Sequence, residues 1–181
     1  MKFMNLPIGI LLMSLFIVSA VLAGGKGQLE TVEKVEIDKY LGKWIEIARY
    51  PVRFQKEDCV AATAEYSLMK NGQIRVLNTC WGDFVDGKIT GTAKGRAKSV
   101  SDSNSKLKVT FFWPFRADYW IVELDENYYY AVVSGPSRKY VWILCREPRM
   151  DSELFAMIVE RLEARGFDPS KLIVSRAQTG E

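Results

Sequence analysis

Residues 60–80, VAATAEYSLMKNGQIRVLNTC, decide the fold. Asn71 and Gly72 stand between two runs in which apolar and polar residues alternate, 60–68 and 74–80. An Asn-Gly pair in this setting is the strongest short-range signal of a β-hairpin. The two runs are therefore predicted to pair as antiparallel strands.

More short strands with similar spacing surround this hairpin. Residues 37–50 predict a helical turn, with Asp38 as its cap, that leads into a first strand. The later strands are predicted at 88–98, 106–113, 119–124, 128–133 and 140–145. Eight evenly spaced strands with turn residues between them predict an all-β sandwich or up-and-down barrel rather than β-α-β units.

A helical pattern follows the last strand. Pro148 and Asp151 precede apolar residues at helical spacing, and Gly166 ends the pattern. The apolar residues of this stripe are Leu154, Phe155, Ile158, Val159 and Leu162. The pattern predicts one amphipathic helix that packs against the outside of the sheet.

Length and composition restrict the function. A chain of 181 residues with 48% apolar residues predicts one domain with a substantial core. The 25 Lys and Arg nearly balance the 22 Asp and Glu, so no strong attraction to nucleic acid or acidic membranes is expected. The absence of histidine excludes Ser-His and Cys-His nucleophile pairs and imidazole metal ligands.

The N-terminal segment predicts export. Lys2 precedes an apolar run, and small residues follow near Ala23, so residues 1–23 are interpreted as a signal peptide; the alternative is a membrane anchor. Residues 24–36 form a polar spacer before the domain at 37–181. Gly25 stands where a bacterial lipoprotein box needs its lipidated cysteine. The protein is therefore expected to be periplasmic or secreted, without acylation at this position.

Three motifs resemble the signatures of the lipocalins. They are Gly42-Lys43-Trp44 near the start, Leu124-Asp125 before the tyrosines at 128–130, and Arg146 after the last strand. The stretches YLGKWIEIARY (40–50), FFWPF (111–115) and YVWILCR (140–146) are similar to the bacterial outer-membrane lipoprotein branch of that family. This branch is related to apolipoprotein D and to plant temperature-induced lipocalins. The resemblance spans about residues 37–173.

The resemblance implies the architecture and the function. It implies an eight-stranded up-and-down antiparallel barrel with one C-terminal α-helix packed outside. It also implies binding, storage or transport of a small apolar or amphiphilic ligand, a fatty acid or lysophospholipid, without a cofactor. Arg146 is expected to lie across the Trp44 indole at the closed end, a cation–π contact worth about 0.5 to 2 kcal/mol.

Strand alternation and position in the family together predict the residues that line the pocket. These are Phe54, Ala64, Tyr66, Val76, Asn78, Val109, Phe111, Tyr119, Tyr140 and Trp142. The small side chains of Ala62 and Ala64 indicate an interior with room for a ligand. The alternative is a core that the aromatic residues fill completely.

Polar groups are predicted to orient the ligand. The hydroxyls of Tyr66, Tyr119 and Tyr140 and the amide of Asn78 need partners in an apolar cavity, so each is a candidate to bind a headgroup. Arg49, Arg53 and Lys56 near the first loop are candidates to pair with a carboxylate or phosphate; the alternative is solvated surface.

Residues 111–115 carry consecutive aromatic residues into a loop through Pro114. Such a loop is more apolar than an exposed turn usually is. It is a candidate barrel lip, homodimer contact or peripheral membrane contact.

Three cysteines allow at most one internal disulfide. Cys59 with Cys80 is predicted because their strands are neighbours, and closing this loop would stabilise the fold by about 3 kcal/mol. A strict Asn-Gly register places Cys80 opposite Thr63, so the pairing requires a bulge or a turn before the first of these strands. Cys145 is predicted to be a free thiol on the outer face under the helix. A zinc site is not expected because the cysteines are widely spaced and histidine is absent.

Two further functions stand beside the carrier hypothesis. An enzyme on the same barrel would use acid/base chemistry on a lipid or isoprenoid, with Glu46 as the candidate carboxylate. An interaction module would use residues 111–115. The carrier hypothesis is preferred because it needs no catalytic group, and no catalytic residue is assigned.

Overall fold

A computed structural model gives the fold over residues 27–52 and 58–176. The predicted signal peptide at 1–23 and Gly25 lie outside these residues. Arg53, Phe54 and Lys56 also lie outside them.

Strands dominate the chain, with one long helix near the end. The strands are β1 (Gly42–Arg49), β2 (Ala61–Leu68), β3 (Ile74–Trp81), β4 (Ile89–Ser99), β5 (Lys106–Thr110), β6 (Ala117–Leu124), β7 (Tyr130–Ser134), β8 (Val141–Cys145) and β9 (Ile173–Val174). The helices are α1 (Ile37–Tyr40) and α2 (Ser152–Ala164), and a 3-10 helix spans Pro169–Lys171. Neither α-helix in this part of the chain has the length and apolar character needed to cross a membrane.

The first eight strands form a closed barrel. Strands β2 to β8 pair in chain order, every pair is antiparallel, and β1 pairs with both β8 and β2. This confirms the eight-stranded up-and-down barrel with one helix outside. The short strand β9 was not predicted. It pairs with Ala48 and Arg49, in the second half of β1, beyond the residues of β1 that pair with β2.

The β2–β3 hairpin has a longer loop than the sequence predicted. Ala62 pairs with Cys80, and Met69 donates a backbone hydrogen bond to Gln73, so three residues rather than two form the loop. Gly72 has a φ of 77°, a left-handed conformation that glycine adopts without strain. The strict Asn-Gly register, which would place Cys80 opposite Thr63, therefore differs from the observed register by one residue.

Two apolar clusters lie on either side of the barrel wall. One fills the lower interior and includes Trp44, Val76 and Val133. The other lies between the wall and α2 and includes Ile143, Ile158 and Leu162. The outside position of the helix therefore follows from its apolar stripe, as predicted.

The helix ends differ in how well the sequence predicted them. Asp151 accepts hydrogen bonds from the backbone of Glu153 and Leu154, and Gly166 follows α2 with a φ of 83°. Asp38, by contrast, lies inside the first turn of α1, and Glu36 occupies the N-cap position without a side-chain cap. The predicted cap at Asp38 is wrong.

The strand order defines two ends of the barrel. In an up-and-down barrel, successive connections alternate between the ends. The connections after β1, β3, β5 and β7 therefore lie at one end, here called the mouth. Helix α1 and the connections after β2, β4 and β6 lie at the other end, here called the floor.

Candidate functional site

Small residues form one wall of the upper barrel interior. Ala64 pairs with Asn78, which pairs with Ala93. In the next row towards the mouth, Ala62 pairs with Cys80, which pairs with Gly91. Residues directly opposite in a sheet share a face, and the side chains of these two rows are half-buried. Small side chains in these two rows fill less of the interior than large ones would.

Larger apolar residues complete the interior. Leu107 and Val109 on β5 are buried, and Phe111 just after β5 packs against the same cluster. Trp142 on β8 pairs with Val133, which belongs to that cluster. Nine of the ten predicted lining residues belong to the part of the chain that the structure describes, and Phe54 lies outside it.

The floor of the interior carries three tyrosine hydroxyls in contact. Tyr119 Oη lies 2.7 Å from Tyr40 Oη and 3.0 Å from Tyr66 Oη. Burial raises the pKa of Tyr66 to about 12 and the pKa of Tyr40 and Tyr119 well above 10. All three hydroxyls therefore remain protonated at neutral pH. The sequence predicted Tyr66 and Tyr119 for this role and missed Tyr40, which lies on α1 rather than on a strand.

The three hydroxyls of this cluster have one more hydrogen than their two mutual contacts can use. Each hydroxyl has one hydrogen to donate, and the two contacts among the three oxygens use two of those hydrogens. One hydrogen remains for a bond outside the two contacts. A ligand atom that accepts a hydrogen bond would satisfy this donor.

Asn78 contributes an acceptor to the same interior. Its Oδ1 is buried and has no hydrogen-bond partner among the described residues. Asn78 is one row nearer the mouth than the paired residues Tyr66 and Val76. A buried amide oxygen without a donor costs about 1 to 3 kcal/mol, so a ligand or water that donates to it gains that free energy.

An ion pair lies on the inner face of β1. Arg49 Nε is 3.0 Å from Glu46 Oε1, and the two side chains are each 13% exposed. Glu46 pairs with Leu144 and Arg49 with Trp142, so both side chains share the inner face with residues of the interior cluster. A register shift between Glu46 and Ala48 turns Arg49 to the same side as Glu46. Regular alternation would have placed Arg49 outside.

The predicted residue Tyr140 lies at the rim of the barrel. It precedes β8 and is 43% exposed. Its ring stacks on Trp142, with 6.0 Å between the centroids. Tyr140 thus lies beside Trp142 at the mouth end of β8, and its contact with a ligand stays a prediction.

The loop between β5 and β6 exposes its aromatic residues at the mouth. Phe112, Trp113 and Phe115 are 77%, 79% and 78% exposed. We call these three residues the aromatic lip. Phe111, at the start of the same run, instead packs inside.

Arg146 holds the floor of the barrel together. Its guanidinium lies 3.8 Å from the centroid of the Trp44 ring, as predicted. Gly42 has a φ of 91°, and a Cβ there would lie 3.4 Å from Arg146 Nη1. Asp125 accepts hydrogen bonds from the backbone of Asn127 and Tyr129 and so fixes the turn before β7. These signature residues stabilise the floor and do not line the upper interior.

The cysteines follow the sequence prediction. Cys59 and Cys80 form a disulfide with a Cα–Cα distance of 5.0 Å. Cys59 lies before β2, where the chain is not yet paired as a strand. Cys145 is free, buried and part of the cluster under α2. Within residues 27–52 and 58–176, no group of three His, Cys, Asp or Glu is placed to hold a metal ion.

Several known proteins have sequences similar to this one. A family model described as a lipocalin-like domain matches residues 35–177. Temperature-induced lipocalin-1 of Arabidopsis thaliana is 38% identical over 81% of this chain and 82% of its own length. Outer membrane lipoprotein Blc of Vibrio cholerae is 38% identical over 91% and 97%. Apolipoprotein D of Mus musculus is 36% identical over 77% and 76%.

Solved structures share the fold. Insecticyanin from the tobacco hornworm Manduca sexta superposes with a TM-score of 0.62 over 81% of this chain and 83% of its own. The two sequences are 18% identical, so this likeness concerns the fold alone.

Proposed function

The chain belongs to the lipocalin family, in the branch of the bacterial outer-membrane lipoproteins, and from that premise we propose that it binds, stores or transports one amphiphilic lipid in its barrel. The ligand proposed is a fatty acid or a lysophospholipid. Maintenance of the cell envelope is the proposed purpose of this transport.

The half-buried wall of small residues carries the proposal. In this proposal the acyl chain lies against Ala64, Ala93 and Gly91, whose small side chains occupy little of the interior. An acyl chain that fills this space exchanges water for apolar contact, which is worth about 0.8 kcal/mol per methylene group. A chain of moderate length thus supplies enough free energy for micromolar affinity.

The ion pair on β1 leads us to expect different affinities for fatty acids and lysophospholipids. The Arg49 guanidinium already contacts the Glu46 carboxylate, so a fatty-acid carboxylate must compete with Glu46 for it. A zwitterionic headgroup instead offers a phosphate to Arg49 and an ammonium to Glu46 and to the nearby ring of Trp142. We therefore expect lysophospholipids with zwitterionic headgroups to bind more tightly than fatty acids.

The same ion pair supports a binding protein over an enzyme. The Glu46 carboxylate is held in an ion pair with the Arg49 guanidinium, 3.0 Å away, so it has a charge partner at this position. Glu46 was the candidate acid/base group of the enzyme hypothesis. Its pairing favours a role in recognising the ligand.

Export is part of the proposal. A disulfide between Cys59 and Cys80 suits an oxidising compartment such as the periplasm or the exterior of the cell. This agrees with the interpretation of residues 1–23 as a signal peptide. We propose a periplasmic or secreted protein, and a homodimer through the aromatic lip remains a prediction.

Filling the proposed space tests the function. Native mass spectrometry of the purified protein with added lysophosphatidylethanolamine or oleate should give one ligand per barrel. The double variant Ala64→Phe/Ala93→Phe should bind at least about tenfold more weakly, because the added rings occupy the space of the acyl chain. Ala156→Phe, at an exposed position on α2, is the matched control. Unchanged binding by a folded double variant would refute the interior site.

Neutralising Glu46 tests the ranking of headgroups. Glu46→Gln should strengthen oleate binding, because Arg49 no longer has a competing carboxylate, and should weaken binding of lysophosphatidylethanolamine. Titrations of both lipids against this variant and the unchanged protein measure the two shifts. A change of the same sign for both lipids would contradict the proposed headgroup contacts.

A further inference from the structure

Basic side chains project from one outer side of the barrel. Inward residues such as Ala93 and Ala97 alternate along β4 with the exposed residues Lys94, Arg96 and Lys98. The neighbouring strands continue this pattern. We call the whole set the cationic wall; its members are Arg75 on β3, Lys94, Arg96 and Lys98 on β4, and Lys106 and Lys108 on β5.

The cationic wall places like charges side by side. Arg75 is directly opposite Arg96, and Lys98 is directly opposite Lys108. Cross-strand pairs of like charge destabilise a sheet. Among the described residues, only Lys108 of this set forms an ion pair, with Asp118 at 2.7 Å. Glu65, on the outer face of β2, lies across from Lys43 and Leu77 rather than from a wall residue.

The side of the molecule opposite the cationic wall carries several exposed acidic residues. Helix α2 covers the outer faces of β6, β7, β8 and β1, so it lies across the barrel from the cationic wall. Its exposed surface carries Glu153, Glu160 and Glu163, and Asp151 caps it. The numbers of basic and acidic residues in the whole chain are nearly equal, but the two kinds of residue are unevenly distributed over the surface.

A groove connects the cationic wall to the aromatic lip. It has a volume of about 280 Å³, and its lining includes Arg75, Lys94 and Arg96 at one side and Trp113 at the other. Basic and exposed aromatic side chains thus form one continuous surface along the β3–β5 side of the barrel, from its floor half to the lip. Basic residues bind anionic headgroups, and aromatic residues partition into the boundary between headgroups and acyl chains.

We propose that the cationic wall and the aromatic lip together form a docking surface for an anionic lipid bilayer. Charge complementarity selects an anionic partner, and three exposed aromatic side chains need an apolar layer, which nucleic acid does not offer. Docking in this orientation lays the β3–β5 side of the barrel on the bilayer, with the aromatic lip in contact with the membrane. The inference goes beyond the proposed ligand binding, since the docking surface lies outside the barrel.

Vesicle binding tests the docking surface. Purified protein should sediment with vesicles of phosphatidylcholine mixed with phosphatidylglycerol, and should bind vesicles of phosphatidylcholine alone far more weakly. Added salt should reduce the binding. The triple variant Arg75→Gln/Arg96→Gln/Lys98→Gln should bind the anionic vesicles roughly 100-fold more weakly, from about fivefold for each cation removed.

A matched variant controls for net charge. Lys39→Gln/Arg149→Gln/Lys171→Gln removes three exposed cations away from the cationic wall and should bind anionic vesicles like the unchanged protein. Thermal unfolding should show the wall variant to be at least as stable, because like-charge pairs are removed. Equal loss in both variants, no loss in the wall variant, or equally tight binding to double-stranded DNA would overturn the proposal. None of these outcomes bears on ligand binding in the barrel, because the vesicle assay contains no free ligand.

Discussion

Arg146 lies across the Trp44 indole at the floor of the barrel, with the guanidinium carbon 3.8 Å from the ring centroid. The same guanidinium donates hydrogen bonds to the backbone carbonyls of Lys39, Leu41 and Lys43. One side chain thus joins α1, the start of β1 and the end of β8. The planar fork of arginine makes this possible, because it presents several donors at once.

Replacing Arg146 with lysine should therefore destabilise the fold although it keeps the charge. The lysine ammonium cannot reach all three carbonyls and lie flat on the indole, so we expect a loss of about 2 to 3 kcal/mol in the free energy of unfolding. Urea unfolding measures the loss. Arg149→Lys, at an exposed position, should leave stability unchanged. A stable Arg146→Lys protein would show that charge alone holds the floor together.

A buried carboxylate attaches α2 to the barrel. Glu123 on β6 is 8% exposed and accepts hydrogen bonds from Tyr130 at 2.9 Å and Arg161 at 2.8 Å. Arg161→Met removes the compensating charge and should cost about 3 kcal/mol. The double variant Glu123→Leu/Arg161→Met should recover much of that loss, since no unpaired charge stays buried. Unfolding in urea tests the order of stabilities, and a double variant weaker than Arg161→Met would contradict this account.

The tyrosine cluster predicts a loss of stability in alkali. The pKa of Tyr66 rises from 10 in the unfolded chain to about 12 in the fold, so below pH 10 both states hold the proton and stability is unaffected. Between these values only the unfolded chain loses it, and stability falls as the pH rises. The contribution of Tyr66 amounts to about 3 kcal/mol over the whole interval.

Urea unfolding at a series of alkaline pH values measures this decline. Tyr66→Phe removes one titrating group and leaves Tyr119 bonded to Tyr40, so its decline should be shallower. Tyr140→Phe, at the exposed rim and outside the cluster, controls for the general effect of removing a tyrosine hydroxyl. Equal slopes for the unchanged protein and Tyr66→Phe would show that Tyr66 is not the group responsible.

Alternation along the strands predicted the interior better than the turn signature did. The Asn71-Gly72 pair predicted a two-residue loop, which would have placed Ala64 opposite Thr79. The strands predicted Ala64 and Asn78 on the same inner face, and the structure pairs them. A one-residue change of register reverses faces, so a buried face fixes the register and the loop adapts to it.

Two residues of the site could not be predicted from the sequence, because their positions do not follow regular strand alternation. Arg49 faces inward because of the irregular register in β1, and no alternation pattern predicts such a shift. Tyr40 joins the floor cluster from a helix of four residues, and the alternation that identifies inward residues applies only to strands. The small residues Gly91 and Ala93, by contrast, alternate with outward residues in the sequence and were predictable.

The total charge of the chain does not show where the basic residues lie, whereas the alternation along each strand does. Lys94, Arg96 and Lys98 occupy every second position in β4, which places them on one face. The composition predicted no attraction to acidic membranes. The position of each charge, rather than the sum, determines the field near each side of the barrel.

Strand β9 has a consequence for the order in which the protein assembles. Val174 pairs with Ala48, so the seam of the barrel joins a strand made early in synthesis to one made near the end. Until residues beyond 140 have emerged, β1 lacks β8 and β9 as partners, and its apolar residues Ile47 and Ala48 stay uncovered. Contacts over such long sequence separations form slowly. The nascent chain thus has a period of vulnerability to aggregation that ends only when its last strands arrive, and a chaperone that shields β1 would act during that period.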